Sequence, residues 1–314
     1  MIKHELRRAR RGPVAFAALF AAALFAATLG ACRDATDPDT PSADRPIEET
    51  AGALSQLGQT EIDIAVADTL RGLTRPPRTK TSDVQYAWED RRRELLRNMH
   101  DADPALGQAL LASLSELPYK TEIDRYALLA AGTYAAPETA APMLATAVLE
   151  YEGGPLKLDL GERGQAAVLL AEIQPERAIE ILEPLLSNVA RGKTLPRREM
   201  LLNAWLAACK ATGYPREEVL ILVATDIRQE AITRHLAVSE LGKLKGPRIS
   251  QALMEVFTES TGNGILRRKA AQAIVASEDT ESAILSITSV LEREADSNMQ
   301  VFLSRTLDNL EAAR

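Results

Sequence analysis

From about residue 82 onward, Leu, Ala and Ile recur at helical spacing in segments of about 11 to 16 residues, separated by short polar turns. Alternating β-branched runs and Asn-Gly turns are missing, so the pattern predicts helices and no sheet. A proline stands at or near the start of every second predicted helix, at Pro104, Pro137, Pro175, Pro215 and Pro247, with Thr280 in the corresponding place of the last unit. The separations are 33, 38, 40, 32 and 33 residues. Proline suits a first helical position because its missing N–H would have no intrahelical partner there and its φ is already helical. An apolar pair follows each start: Ala109-Leu110, Met143-Leu144, Ile181-Leu182, Val219-Leu220, Ala252-Leu253 and Ala283-Ile284. The intervening helices open near Arg125, Arg163, Arg198, Arg234 and Arg268, spaced 38, 35, 36 and 34 apart. Two series with one drift predict repeated helical hairpins. Recurring alanines (Ala130, Ala167, Ala207, Ala237, Ala270) would let those helices pack closely.

The segments ITRHLAVSELGKLKGPRISQALMEVF and ILRRKAAQAIV, within residues 232–275, resemble HEAT-like repeats of the phycobilisome-lyase type, and the likeness extends over about residues 85–311. It implies an all-α fold, a right-handed α-solenoid of stacked hairpins over 82–314 in which each unit covers the apolar face of its neighbour. Units between 121 and 215 are longer and irregular, which leaves tetratricopeptide-like repeats open, although their Trp/Gly/Tyr pattern is missing. The resemblance implies a protein-docking surface; the alternative it brings is an enzyme or enzyme accessory that handles chromophores, to which no residue here can be matched.

The N-terminus has a different pattern. MIKHELRRARRG is basic, Pro13 to Thr28 is almost wholly apolar, and Leu29-Gly30-Ala31-Cys32 follows. The apolar run is short of the about 20 residues that a spanning helix needs and suits an export signal. The four closing residues resemble a bacterial lipoprotein signal. That likeness implies removal of residues 1–31, lipidation of Cys32, and membrane attachment through acyl chains that each contribute about 0.8 kcal/mol per buried methylene. By the same resemblance, Arg33 in place of an aspartate after the cysteine implies the outer membrane, facing the periplasm. Residues 32–50, with six acidic residues and three prolines over 33–50, predict a disordered acidic tether. Residues 51–81 predict an N-terminal helix followed by an exposed loop around Pro76-Pro77.

Removal of the signal leaves 32 basic against 43 acidic residues, a net charge of −11, which argues against nucleic acid and against a basic grip on anionic lipid. With Cys32 acylated, Cys209 has no disulfide partner and reads as a buried small side chain. No nucleophile motif, P-loop, dinucleotide fingerprint or zinc spacing occurs, so neither catalytic residues nor a metal or cofactor is expected. His100-Asp101-Ala102-Asp103 could hold a divalent cation, but reads more simply as a helix end and a capping turn before Pro104. Trp88, Trp205 and Phe257 read as core residues.

The basic clusters Arg91-Arg92-Arg93, Arg197-Arg198 and Arg267-Arg268-Lys269 share one phase of the repeat. They read either as a ladder paired with acidic residues of the next unit or as a stripe that binds an acidic partner. Arg197, Arg198, Arg267 and Arg268, with Tyr151 in the irregular Tyr151–Pro155 loop, are therefore the candidate partner-binding residues. The functional expectation is a non-catalytic scaffold or adaptor for an envelope protein or peptide.

Overall fold

The computed structural model describes residues 58–76, 82–150, 154–188 and 195–314, and among them every regular element is helical. The predicted signal with Leu29, Gly30, Ala31 and Cys32, the tether, and Tyr151 lie outside the described residues. In chain order the helices are α1 (Gln59–Leu73), α2 (Ser82–Asn98), α3 (Pro104–Glu116), α4 (Arg125–Ala135), α5 (Pro137–Leu149), α6 (Leu160–Ile173) and α7 (Pro175–Ser187). They continue with α8 (Arg198–Thr212), α9 (Glu217–Thr225), α10 (Ala231–Leu241), α11 (Pro247–Glu259), α12 (Gly264–Ser277), α13 (Thr280–Leu291) and α14 (Ser297–Ala312). None of them is long and apolar enough to cross a membrane.

Local chemistry explains the starts. Pro104, Pro137, Pro175 and Pro247 each occupy the first turn of their helix. Pro215 instead lies two residues ahead of α9, in the turn that precedes it. Side chains of Asp103, Asp124, Asp159, Asn263, Asp279 and Asp296 accept first-turn amides of the helices they precede, the arrangement that satisfies otherwise orphaned donors.

Within Leu54–Arg314, which forms one unit, the helices pack in two alternating sets. Even-numbered helices touch in succession from α2 to α14; among the odd-numbered ones α1 touches α3, α3 touches α5, α7 touches α9, and α9 touches α11. Each odd helix also packs on the even helix that follows it. Some approaches admit no side chain: a Cβ on Gly107 would fall 2.7 Å from the Ala136 amide nitrogen, and one on Gly242 would fall 3.0 Å from the Ala273 Cα.

Leu110, Leu144, Leu182, Leu220 and Leu253, one from each of five apolar pairs, are all 0% exposed. The sixth pair departs from the expected register. Ile284 is only half-buried, while Ala283 and Ile287 face the core. Ile287, seven residues after Thr280, matches the phase of Leu144 and Leu182, seven after Pro137 and Pro175. Ala207 is likewise half-buried, its expected place taken by Ala204 and Ala208. Cys209 is buried as expected, and burial pushes its thiol pKa up to about 12.

The loop after α1 is tied to the rest. Leu73 lies in the core, and an antiparallel bridge joins Thr74 to Ile123, with the Arg75 amide donating to Glu122 O (2.8 Å) and the Asp124 amide to Leu73 O (2.9 Å).

Leu253→Ala and Ile287→Ala should each cost about 2–5 kcal/mol, the range for truncating a packed core residue. Ile284→Ala should cost less than either. Urea unfolding of the three variants checks the register; an Ile284 variant as damaged as the Ile287 variant would contradict it.

Candidate functional site

The most distinctive chemistry lies where odd helices end. A helix leaves its last carbonyls without intrahelical donors, and a left-handed glycine often supplies the missing turn. Only α8 ends that way among the described helices, at Gly213 (φ 72°). At five other helix ends an arginine from the first turn of the next even helix donates instead.

Arg125 Nη1 donates to Leu114 O (3.0 Å) and Leu117 O (2.7 Å) at the end of α3. Arg163 reaches Ala147 O (2.7 Å) and Val148 O (2.9 Å) of α5. Arg198 reaches Leu185 O (3.2 Å), Leu186 O (3.3 Å) and Asn188 O (2.7 Å) around the end of α7. Arg234 donates to Ala224 O of α9 (2.8 Å), and Arg267 to Phe257 O of α11 (3.1 Å). All five side chains are buried. A cation at a helix start opposes that helix's own dipole, but here it meets the negative end of its neighbour.

Most of these arginines also reach forward. The Arg125 Nε and Nη2 clasp Glu162 of α6 (2.6 and 3.2 Å), a carboxylate that also closes a capping box with Asp159. One rung earlier, Arg92 and Arg75 both pair with buried Asp124 (2.7 and 3.1 Å). Asp124-Arg125 and Glu162-Arg163 thus each place an acceptor for the preceding unit beside a donor for their own. In the next unit Arg197 stands where the acid would be, and Arg198 turns to Gln229 (3.3 Å), whose amide donates to Leu186 O (3.1 Å). Arg234 uses Ser260 (3.2 Å), and Arg267 closes an ion pair with Glu294. Aromatic faces pack on this chain: Arg92 lies 5.0 Å from the Trp88 centroid, Arg125 5.3 Å from Tyr119, and Arg267 4.4 Å from Phe257. Burial lowers the pKa of Arg163, Arg198 and Arg234 from its ordinary value.

The candidate basic residues therefore divide. Arg198 and Arg267 point inward and spend their donors on the fold. Arg197 and Arg268 are exposed, Arg268 lying 5.8 Å from the Phe302 centroid. The last member of the arginine series is accordingly Arg267 and not Arg268. Tyr151 has no described position, so its relation to the four arginines is not among these contacts.

The His100 turn is built differently from a metal site. Asp103 caps α3 through the Ala105 amide (2.8 Å), while the His100 ring stacks on Tyr134 at 4.3 Å. Tyr134 in turn donates to Glu172 of α6 (2.9 Å). Burial raises the pKa of the Glu172 carboxyl and of the Tyr134 phenol. Among the described residues no group of three His, Cys, Asp or Glu side chains is placed to hold a metal ion. The sequence reading missed Tyr134 and Glu172 and all of the acceptors, Asp124, Glu162, Gln229, Ser260 and Glu294, of which only Asp124 and Glu162 had a visible signal, the acid directly before an arginine.

Arg125→Met should destabilise the fold by about 3–5 kcal/mol, because it leaves Glu162 buried without its cation. Adding Glu162→Gln, which removes the orphaned charge and keeps an acceptor for the capping box, should recover more than half of that loss in urea unfolding. A double variant no better than the single one would show that the carbonyls of α3 are the dominant acceptors. Glu294 gives a pH test. Burial alone would raise its carboxyl pKa, but the Asp296 amide and Arg267 hold it below its ordinary value. Its contribution is therefore full above the unfolded glutamate value of about 4.3 and is lost as pH falls through the lower folded value. Glu294→Gln should be less stable than wild type at neutral pH, and the gap should narrow in acid; a gap independent of pH would refute the pairing.

Compared with known proteins, the chain matches no family model, no curated protein and no solved structure.

Proposed function

We propose that this chain is a non-catalytic scaffold or adaptor, exported and held on a bacterial membrane by lipid on Cys32, whose helices stack as a right-handed α-solenoid of HEAT-like hairpins. The observation that supports it best is the pair of alternating helix sets, in which even helices touch in succession and each odd helix packs on the next even one. Contacts of that local kind extend a surface along the chain without converging on one pocket, which suits the docking of a protein or peptide. The inward arginines support the same reading, since they tie each hairpin to the next and leave the outer faces free for recognition.

Affinity capture from native membranes with the intact acylated chain tests the function. A stoichiometric protein partner is expected; a bound cofactor with visible absorbance and no partner would overturn the scaffold in favour of chromophore handling. Cys32→Ala should leave the chain unacylated, uncleaved and mislocalised. Mass spectrometry of the mature N-terminus decides this, and an unmodified Cys32 in a full-length wild-type chain would leave a signal anchor instead. Deleting residues 279–314 should expose the apolar face of α12 and remove Glu294 from Arg267, causing aggregation while circular dichroism retains the helicity of the preceding helices. Loss of all helicity would favour a single globular bundle.

A further inference from the structure

One stripe of α7 borders an open groove. Glu176, Ile179, Glu180, Glu183 and Pro184 fall at i, i+3, i+4, i+7 and i+8, a single helical stripe, and line a groove of about 380 Å³ closed on its other side by Thr212 and Tyr214. The rest of α7 is spent in the core with Ala178, Ile181, Leu182, Leu185 and Leu186, and Ile179, at the floor of the groove, is itself buried with them. The left-handed turn at Gly213 carries Tyr214 to the groove, fixed by its amide donating to Cys209 O (3.0 Å).

The groove has a definite chemistry. Ile179, Pro184 and the Tyr214 ring offer apolar surface, and Glu176, Glu180 and Glu183 offer negative charge. At the rim, Arg177 pairs with Glu180 (2.7 Å), while Glu176 remains exposed. Glu183 is half-buried against Tyr214, whose phenol pKa is raised by the carboxylate's charge, by burial and by a hydrogen bond to it, while the Glu183 Oε2 is shut off from solvent and has no donor of its own. A buried acceptor left so is costly, and a cation that donates hydrogen bonds would remove the cost. Pro184 has no amide to give the Glu180 carbonyl one turn back, which leaves that acceptor too without its helical donor. These carboxylates are not gathered closely enough to hold a metal ion. The required occupant is therefore an extended cation with an apolar stem.

We infer that the groove between α7 and Tyr214 binds the lysine or arginine side chain of an extended basic peptide segment, its stem against Ile179, Pro184 and the Tyr214 ring and its charged head at Glu183. Such side chains lay their methylenes on apolar surface and keep a charged tip for a carboxylate, and an exposed tyrosine face adds attraction for the cation. This rests on the scaffold reading and gives its partner a chemistry.

The test uses the purified full chain in non-ionic detergent, titrated with fluorescein-labelled hexalysine and followed by anisotropy. Saturable binding that weakens with added salt is expected. Glu183→Gln and Tyr214→Ala should each weaken it at least ten-fold, and Glu311→Gln, an exposed acid at the far end of the chain, should change it less than two-fold. Glu183→Gln should unfold at or above the wild-type temperature, since it removes a half-buried charge and keeps an oxygen acceptor for the Tyr214 phenol, so lost binding would not be lost fold. Equal binding by the Glu183 variant, or an equal loss from Glu311→Gln, would overturn the site. Displacement of the probe by spermidine at matching concentration would assign the groove to small polyamines and overturn the peptide reading. A membrane partner retained unchanged by Glu183→Gln would sink the groove and spare the scaffold; hexalysine binding without any membrane partner would do the reverse.

Discussion

The arrangement depends on a buried guanidinium placed at the end of a helix that is not its own. At the end of each odd helix from α3 to α11 a buried arginine supplies donors that the last carbonyls lack within their own helix. An arginine fork carries five N–H donors in a fixed plane, enough to serve carbonyls behind and an acceptor ahead at once. The cost of burying the charge is several kcal/mol, so the net stabilisation is modest when every donor is used. The asymmetry matters more: with the arginine removed, carbonyls and carboxylates stay buried and unpaired. That penalty fixes where each arginine must fall relative to the helix end behind it, by hydrogen bonding as much as by apolar packing.

This explains why some of the architecture was legible in the sequence. Proline at a helix start and a fully shielded leucine six or seven residues later follow from local sterics and helical period, and both hold at Pro104, Pro137, Pro175 and Pro247. Arg267 and Arg268 are adjacent, and spacing alone cannot choose between them. One residue is about 100° around the helix, so Arg267 turns to the α11 carbonyls and Arg268 to solvent beside Phe302. The same rotation separates Arg198 from exposed Arg197. In the last unit the start at Thr280 lacks the proline, and the pattern placed Ile284 inside where Ile287 lies. The forward acceptors escaped because they come from different structural contexts: a first-turn carboxylate in Glu162, a loop amide in Gln229, a helix-end hydroxyl in Ser260 and an inter-helix carboxylate in Glu294. Contacts between such places depend on how hairpins pack, which a linear period does not encode.

With arginine drawn inward, the surface left for recognition is shifted toward acid. Five guanidinium groups that count in the net charge are buried, and Asp124, Glu162 and Glu294 are the carboxylates that share their chain. The exposed balance is therefore more negative than composition suggests, and its field would steer cationic partners and repel acidic ones. A basic stripe for an acidic partner, one of the two readings of the clustered arginines, loses two of its four members to the interior.

The fold and its recognition chemistry are consequently separable. The apolar leucines and the arginine chain fix how successive helices pack, and substitutions there act on stability. The exposed stripes of individual helices carry no such duty, since a helix packed on one side keeps its solvent face free. On α7 that freedom is used unusually: the solvent-facing stripe carries a hidden carboxylate oxygen without a donor beside a proline that breaks the backbone ladder. Both features weaken α7 taken alone. A helix that keeps a shielded acceptor without a donor along a groove is better matched to an occupied state than to an empty one, because the donor that removes the cost must come from outside the helix.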